Sequence, residues 1–356
     1  MDSIQQILDE IVRTDQSSVL ATIIRVEGSA YRKEGTSMLF LANGQQVGII
    51  SAGCLETDLA IQAKNLFYND TIHSRTIVYD MSAEDDLSWG RGAGCNGKIH
   101  ILLEKITPEL KKQLGTLHNN LSQGTSVTIF KRLGKVVRSV FVTEDHHIFG
   151  KQDTVSDHFI QGALDGKRSG IQYVEDVEAN VYIHTYKPKP RLFIFGAGPD
   201  VVPFSSMAAQ TGFSITIWDW RPANLDQVRF PDAQLADPVS IPEIIKKIDF
   251  TPTDSVIIMT HDFQKDKQLL HRLLEYKQLR YLGILGPRNR TTRLLNGANI
   301  PDHLRSPVGL AISAEGPNEI AISIIAELIH VLRESPNEKE RTFEKARNRR
   351  YLSSSG

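Results

Sequence analysis

Cysteine is scarce in this chain of 356 residues, which contains only Cys54 and Cys95. Two cysteines exclude a disulfide-rich secreted scaffold, and they also exclude a zinc site built mainly from thiolates. They cannot ligate an iron–sulfur cluster that needs about four cysteines. The two thiols are therefore either small buried apolar residues or reactive groups.

Long apolar runs and a charge excess of one sign are also missing. No stretch approaches the roughly 20 apolar residues that span a bilayer. The first segment carries Asp2, Asp9 and Glu10 instead of the basic and apolar pattern of a signal peptide. Lys and Arg number 41 against 42 Asp and Glu, so the chain lacks the basic surplus that favours nucleic acid. We expect a cytoplasmic protein with neither nucleic-acid nor membrane partners.

The remaining composition is that of a globular protein, with 40% hydrophobic and 23% charged residues. Its length predicts two domains, and the stiff connector Lys187-Pro188-Lys189-Pro190 marks the boundary between them. Helical and strand patterns mix in residues 1–186, whereas continuous apolar strands alternate with helices in residues 191–335. We therefore predict an α/β protein with an N-terminal mixed α+β domain, a C-terminal parallel-sheet domain and a polar tail over 336–356.

A glycine-rich turn follows the first strand of the second domain. Gly196 permits a tight turn, and Gly198 lets backbone amides approach a phosphate at the start of the next helix. Asp219 lies 23 residues after Gly196, close to the spacing of a ribose-binding acid, although Val201 replaces the third glycine. The pattern predicts a Rossmann-like domain, whose turn either binds a nucleotide or is purely structural.

Polar residues also follow two later strands of that domain. His261 and Asp262 end one strand and Arg288 follows the next, so all three are expected in one crevice at the carboxyl edge of the sheet. His261 is a candidate acid or base, and Arg288 a candidate partner for an anion. The alternative is that Asp262 caps a helix while His261 makes an ordinary hydrogen bond.

Three glycine-containing segments stand out in the first domain, namely residues 27–35, 51–56 and 91–97. The first offers the cations Arg32 and Lys33, in what is alternatively a solvated hairpin loop. The second places Cys54 near a helix start, where the helix dipole stabilises a thiolate. The third surrounds Cys95 with glycines. Buried, inert thiols are the alternative for both cysteines.

Together these segments resemble the XdhC/CoxI family, the maturation factors of molybdenum hydroxylases such as xanthine dehydrogenase. The matching motifs are Glu27-Gly28-Ser29-Ala30-Tyr31-Arg32-Lys33 with Gly35 and Met38, Ser51-Ala52-Gly53-Cys54-Leu55-Glu56, Gly92-Ala93-Gly94-Cys95-Asn96-Gly97, Phe195-Gly196-Ala197-Gly198, Asp219-Trp220-Arg221, Thr260-His261-Asp262 with Asp266, Gly283-Ile284-Leu285-Gly286, Ser306-Pro307-Val308-Gly309-Leu310 and Glu319-Ile320-Ala321-Ile322-Ser323-Ile324-Ile325-Ala326-Glu327.

The resemblance implies a factor that binds the molybdenum cofactor (molybdopterin), supports its sulfuration by a cysteine desulfurase and delivers it to an apo molybdenum hydroxylase of the xanthine dehydrogenase type. Such a factor is more a cofactor-insertion chaperone than a catalyst. The expected catalytic residues are Cys54, Cys95 and His261. The expected cofactor-binding residues are Glu27, Gly28, Arg32, Lys33, Gly53, Glu56, Gly94, Gly97, Gly196, Gly198, Asp219, Asp262 and Arg288.

We further expect Cys54 and Cys95 to line one pocket beside Glu27, Arg32 and Glu56, with Cys54 the more reactive. No metal ion held by the protein itself is expected, and a homodimer is the default oligomer. The competing hypothesis is an NAD(P)-dependent oxidoreductase, which the glycine turn and Asp219 favour. A xanthine dehydrogenase itself is excluded, because two cysteines cannot bind its iron–sulfur clusters.

Overall fold

The computed structural model describes residues 4–51, 53–69, 71–81, 97–166 and 169–333. The chain divides into two compact units, Asp2–Lys189 and Pro190–Gly356, called here the N-terminal and C-terminal units. The predictions for Gly94, Cys95 and the polar tail lie outside the described residues.

The N-terminal unit mixes helices with antiparallel strands. Its elements are α1 (Ile4–Arg13), β1 (Ser18–Gly28), β2 (Ser37–Leu41), β3 (Gln46–Val47), α2 (Glu56–Phe67), β4 (Ser74–Asp80), β5 (Gly97–Lys105), α3 (Pro108–Ser122), β6 (Val127–Arg132), β7 (Arg138–Thr143), β8 (Ile148–Gly150), α4 (Asp157–Asp165), β9 (Gly170–Val174) and β10 (Ala179–Tyr186). The strands form two five-stranded sheets, with the orders β3-β2-β1-β5-β4 and β8-β7-β6-β10-β9.

Two helices of this unit, α3 and α4, begin at a capping side chain. In α3, Thr107 caps the first turn and Pro108 occupies a position where no amide donor is needed. Its apolar residues Leu114 and Leu117 join α1 and both sheets in one buried cluster. Helix α2 instead covers the first sheet, in a cluster that includes Leu59. The N-terminal unit therefore places the segments at residues 27–35 and 51–56 around one sheet.

The C-terminal unit alternates strands and helices. Its elements are β11 (Arg191–Phe195), α5 (Val201–Gln210), β12 (Ser214–Trp218), β13 (Ala233–Leu235), α6 (Ile241–Lys247), β14 (Ser255–Ile258), α7 (Phe263–Leu273), β15 (Tyr281–Ile284), α8 (Arg288–Leu294), β16 (Leu304–Arg305) and α9 (Gly316–Arg333). The strands pair in parallel in the order β13-β12-β11-β14-β15-β16. This is the order of a doubly wound Rossmann sheet.

Residues of β11 alternate between the two faces of this sheet. Leu192 and Ile194 pack with α5 and α9, while Phe193 and Phe195 pack with α6 and α7. The strand is thus buried on both sides, as its continuous apolar sequence predicts. The predicted fold class is confirmed, with a parallel Rossmann-like C-terminal sheet and a mixed N-terminal unit. The strand order reverses between β11 and β14, and open α/β sheets bind ligands at that point.

Candidate functional site

The first candidate site lies at one end of the sheet formed by β1–β5. There Gly28 of β1 pairs with Gly97 of β5. A Cβ on Gly97 would lie 2.3 Å from the carbonyl oxygen of Glu27 and 2.8 Å from that of Ser29. Both neighbours are backbone atoms, which cannot rotate away. Glycine at position 97 therefore lets the end of the 91–97 segment meet the loop that follows β1.

The turn at residues 51–56 is held by a compact hydrogen-bond system. The amides of Ile50 and Ser51 donate to Oε1 of Glu56 at 3.2 and 2.6 Å, and the hydroxyl of Ser51 donates to Oε2. That hydroxyl oxygen also accepts from the amides of Gly53 at 3.3 Å and Leu55 at 3.0 Å. Burial raises the pKa of Glu56, but these hydrogen bonds outweigh it and hold the pKa below its ordinary value.

Gly53 and Cys54 lie within this turn. Gly53 is exposed, has a φ of +107°, and leaves open space where a side chain would project. Cys54 is half-buried and packs on the same apolar cluster as Ala30, Leu55 and Met81. Helix α2 begins at Glu56, so Cys54 precedes its first residue by two positions. The structure therefore brings the 51–56 turn and the loop after β1 onto one cluster.

The charged groups of the first motif make contacts within β1, β5 and the loop that follows β1. Oε1 of Glu27 accepts from Nε of Arg25 at 3.0 Å and lies 3.1 Å from Nε2 of His100. The guanidinium of Arg32 lies over the ring of Tyr31, 5.3 Å from its centroid. Lys33 is exposed. Glu27 is thus engaged by two neighbours, so its carboxylate positions β1 and β5.

The second candidate site is the glycine turn between β11 and α5. Gly196 has a φ of +123°, and a Cβ there would lie 2.3 Å from the carbonyl oxygen of Met259. Close approach of β14 therefore requires glycine at this position. Gly198 is buried, and the carboxylate of Asp200 lies 2.6 Å from where its Cβ would be.

Asp219 is fully buried behind the same turn. Its Oδ1 accepts from the amide and Nε of Arg221, both at 2.9 Å. Its Oδ2 accepts from the amide of Ala197 at 2.9 Å and from Nη2 of Arg221 at 2.8 Å. Burial alone would raise the pKa of Asp219. The hydrogen bonds from Arg221 and Ala197 outweigh this effect and hold the pKa below its ordinary value.

These four bonds use the roughly four lone-pair positions of a carboxylate. A ribose hydroxyl could bond to Asp219 only by displacing one of them. The geometry therefore favours a different role from the ribose contact expected from the spacing: Asp219 positions the glycine turn and Arg221.

His261 lies at the same turn. It has a φ of +61°, which is strained for a residue with a side chain. Its Nε2 lies 2.7 Å from Oδ2 of Asp200. Asp262 caps α7 by accepting from the amide of Lys265 at 2.8 Å, as the alternative interpretation expects. Arg288 begins α8 and donates to the carbonyl of Ser306 at 3.2 Å. The structure therefore brings His261 to the turn, while Asp262 caps its own helix and Arg288 bonds to the segment after β16.

Sequence reasoning overlooked four residues that shape these sites. Ser51 and Asp200 lie inside quoted or adjacent segments, and their hydroxyl and carboxylate groups were available signals. His100 and Arg229 lie far along the chain from the residues they contact. His100 lies beside Glu27, and Arg229 donates to the carbonyl of Ala197 at 3.2 Å. No local pattern identifies such partners.

Neither a membrane-spanning helix nor a cluster of metal ligands is found among the described residues. In that part of the chain, no helix is both long and apolar enough to cross a membrane. The same residues contain no group of three or more His, Cys, Asp or Glu side chains that could hold a metal ion.

Family models match three parts of the chain. Residues 11–80 match the XdhC and CoxI family, residues 108–187 match the BH1974-like central domain, and residues 192–328 match the XdhC Rossmann domain. The first match contains the segments at 27–35 and 51–56, and the last contains the glycine turn and His261.

Similar proteins extend over most of the chain. A probable xanthine dehydrogenase subunit of Bacillus subtilis (strain 168) is 41% identical, covering 92% of this chain and 97% of its own. A crystal structure described as a xanthine dehydrogenase from Bacillus halodurans is 45% identical, with a TM-score of 0.81 over 94% of this chain and 98% of its own. The molybdenum cofactor insertion chaperone PaoD of Escherichia coli (strain K12) is 23% identical, covering 90% and 86%. With motifs, fold and full-length relatives in agreement, this chain belongs to the XdhC and CoxI family.

Proposed function

We propose that the N-terminal unit binds the molybdenum cofactor as cargo, supports its sulfuration and delivers it to a molybdenum hydroxylase of the xanthine dehydrogenase type. The observations that support this proposal are the close approach of Gly97 to the loop after β1 and the packing of Ala30 and Cys54 on one apolar cluster of the same sheet. A relative that covers most of the chain is described as a molybdenum cofactor insertion chaperone, and another is described as part of a xanthine dehydrogenase.

The groups at this sheet end suit such a cargo. Molybdopterin carries a phosphate and a metal bound through sulfur. Gly53 presents exposed backbone on its open side, and Lys33 is an exposed cation in the adjoining motif, so both fit an anionic phosphate. The thiol of Cys54 is a soft ligand at the same turn. Ser51 and Glu56 hold this turn in place.

The partners follow from the same role. A cysteine desulfurase supplies the sulfur, and an apo molybdenum hydroxylase receives the finished cofactor. Cys95 takes part with Cys54 in handling the sulfur. We also propose a cytoplasmic location, where such clients mature. The homodimer stays a prediction, which light scattering of the purified protein checks.

Matched glycine substitutions test the cargo site. Gly53 and Gly44 have φ values of +107° and +90°, and neither has an atom within 4 Å of its missing Cβ. Alanine therefore imposes a similar backbone strain at both, roughly 1–3 kcal/mol, but only Gly53 lies in the proposed site. The two variants, with Cys54→Ser, are purified from cells that make the cofactor. Molybdenum and oxidised pterin are then measured per chain.

We expect Gly53→Ala and Cys54→Ser to lose about 90% of the bound molybdenum and pterin. From a nearly filled site, this loss corresponds to a roughly hundredfold weaker Kd, or about 2.7 kcal/mol. Gly44→Ala keeps both. If all three folded variants retain equal amounts of molybdenum and pterin, the cofactor does not bind at this turn.

The NAD(P)-dependent oxidoreductase is the alternative function. Its support was the glycine turn and Asp219, and the bonds made by Asp219 weaken that support. The geometry of the turn therefore does not favour it as a function of this chain.

A further inference from the structure

Backbone amides of the Rossmann turn already serve the protein itself. The amide of Gly196 donates to the carbonyl of Trp218 at 2.7 Å, and that of Val201 donates to Gly198 at 3.1 Å. The amide of Ala197 donates to Asp219 at 2.9 Å, and Pro199 has no amide hydrogen. A dinucleotide diphosphate binds at such a turn through backbone amides and the helix dipole. Here the amides of Gly196, Ala197 and Val201 are engaged, and Pro199 supplies none.

The carboxylate of Asp200 fills the place that the second glycine opens. Its Oδ1 lies 2.6 Å from the position that a Cβ on Gly198 would take, and Cδ2 of His261 lies 3.6 Å from it. In dinucleotide sites that glycine lets the backbone approach the diphosphate. In this chain an acidic side chain occupies the space, fixed through its Oδ2 by His261 at 2.7 Å.

The hydrogen-bonding need of Asp200 is opposite to what a phosphate offers. Within the described part of the chain, no donor reaches the buried Oδ1 of Asp200. A buried acceptor requires a donor, whereas a phosphate brings further acceptors and a like charge. Asp219, behind the turn, has no lone pair left for a ribose hydroxyl.

Nearby cations do not reverse this balance. Arg221 is paired with Asp219. The guanidinium of Arg229 is held by the carbonyls of Asn224 and Ala197, both at 3.2 Å. Each of these positive groups is committed to organising the turn.

We propose that Asp200, held by His261, occupies the diphosphate position of the Rossmann turn and excludes dinucleotides from this domain. Among the features that oppose a dinucleotide here, Asp200 is the one that puts an acidic side chain beside Gly198, and a single substitution removes it. The claim concerns the C-terminal unit and is independent of the cargo site proposed for the N-terminal unit.

Calorimetric titration of the full chain tests the proposal, with ADP-ribose and NADH as probes and adenosine as a probe without phosphate. The variants are Asp200→Ala, which removes both the charge and the bulk, and Asp200→Asn, which removes only the charge. Asp302→Ala is the control, since Asp302 is exposed and precedes β16. It therefore lies at the amino ends of the parallel strands, whereas the glycine turn lies at their carboxyl ends. Asp200 makes no side-chain cap on α5, so both variants should fold, as thermal melting verifies.

The wild type and Asp302→Ala should show no saturable binding of either phosphate probe up to about 1 mM. Asp200→Ala should bind both probes with a Kd of about 100 μM or lower, at least tenfold below the 1 mM limit for the wild type. Asp200→Asn should also bind both probes more tightly than the wild type, while adenosine binding stays unchanged. Saturable wild-type binding in the micromolar range would overturn the proposal. It would equally fail if both folded Asp200 variants bound no better than the wild type.

Discussion

Replacing Gly97 by alanine tests how the two motifs at the end of the first sheet are joined. The new methyl group would lie 2.3 Å from the carbonyl oxygen of Glu27 and 2.8 Å from that of Ser29, well inside normal contact. Both atoms belong to the backbone, so relief requires the paired strand ends to separate. Separation breaks the Gly28–Gly97 pairing and the bond from the amide of Met81 to Gly97, which is 2.9 Å long.

The size of the effect follows from these contacts. Overpacking costs about 1–3 kcal/mol, and each lost hydrogen bond costs about 1 kcal/mol. We expect Gly97→Ala to lower the free energy of unfolding of the N-terminal unit by about 3–5 kcal/mol. For a unit of this size, that is a fall in Tm of about 6–20 °C.

A matched glycine provides the control. Gly115 lies within α3 and has no atom within 4 Å of its missing Cβ, so Gly115→Ala should stabilise the unit by roughly 0.5–1 kcal/mol. Calorimetry and urea unfolding of both variants give the two values. A Gly97→Ala protein within about 0.5 kcal/mol of the wild type would refute the close approach of the two motifs.

Three further predictions concern buried groups. Burial lowers the pKa of His184 to about 4, so the unfolded chain binds a proton at a higher pH than the folded chain does. The free energy of unfolding should therefore fall by up to about 3 kcal/mol between pH 6.5 and 4. Urea unfolding should not find this loss in His184→Gln. Lys131 and Glu104 form a buried ion pair, so Lys131→Met should lower the free energy of unfolding by about 3–5 kcal/mol. The double variant Lys131→Met with Glu104→Leu should recover most of this stability in thermal melts. No recovery would contradict the explanation that the loss comes from an unpaired buried charge. Gly196→Ala meets both a φ of +123° and the carbonyl of Met259, so it should cost at least about 3 kcal/mol, and a calorimetric change below about 1 kcal/mol would contradict the tight turn.

Local patterns sufficed to predict the architecture of the chain. Continuous apolar runs predict β11 and β14 because both strands are buried on two faces. The glycines at 196 and 198 predict a strand–turn–helix unit because few other residues permit its backbone. The pair Thr107-Pro108 at the start of α3 is likewise a local signal for a helix start.

Site geometry was less predictable, because it depends on residues far apart in the chain. The spacing of Asp219 was suitable for ribose binding, but its bonds to Ala197 and Arg221 are formed only in the folded turn. Similarly, nothing local in His261 indicates Asp200 as its partner, 61 positions earlier. Side-chain direction, which sequence does not give, decides both cases.

The central claim is that this chain carries the molybdenum cofactor. The most direct measurement is the molybdenum and pterin content of the wild-type protein, purified in parallel from cells that make the cofactor and from cells that cannot. The account predicts molybdenum and pterin in equal amounts, approaching one of each per binding site, only in the protein from the first cells. Protein from cofactor-making cells that contains neither would contradict it.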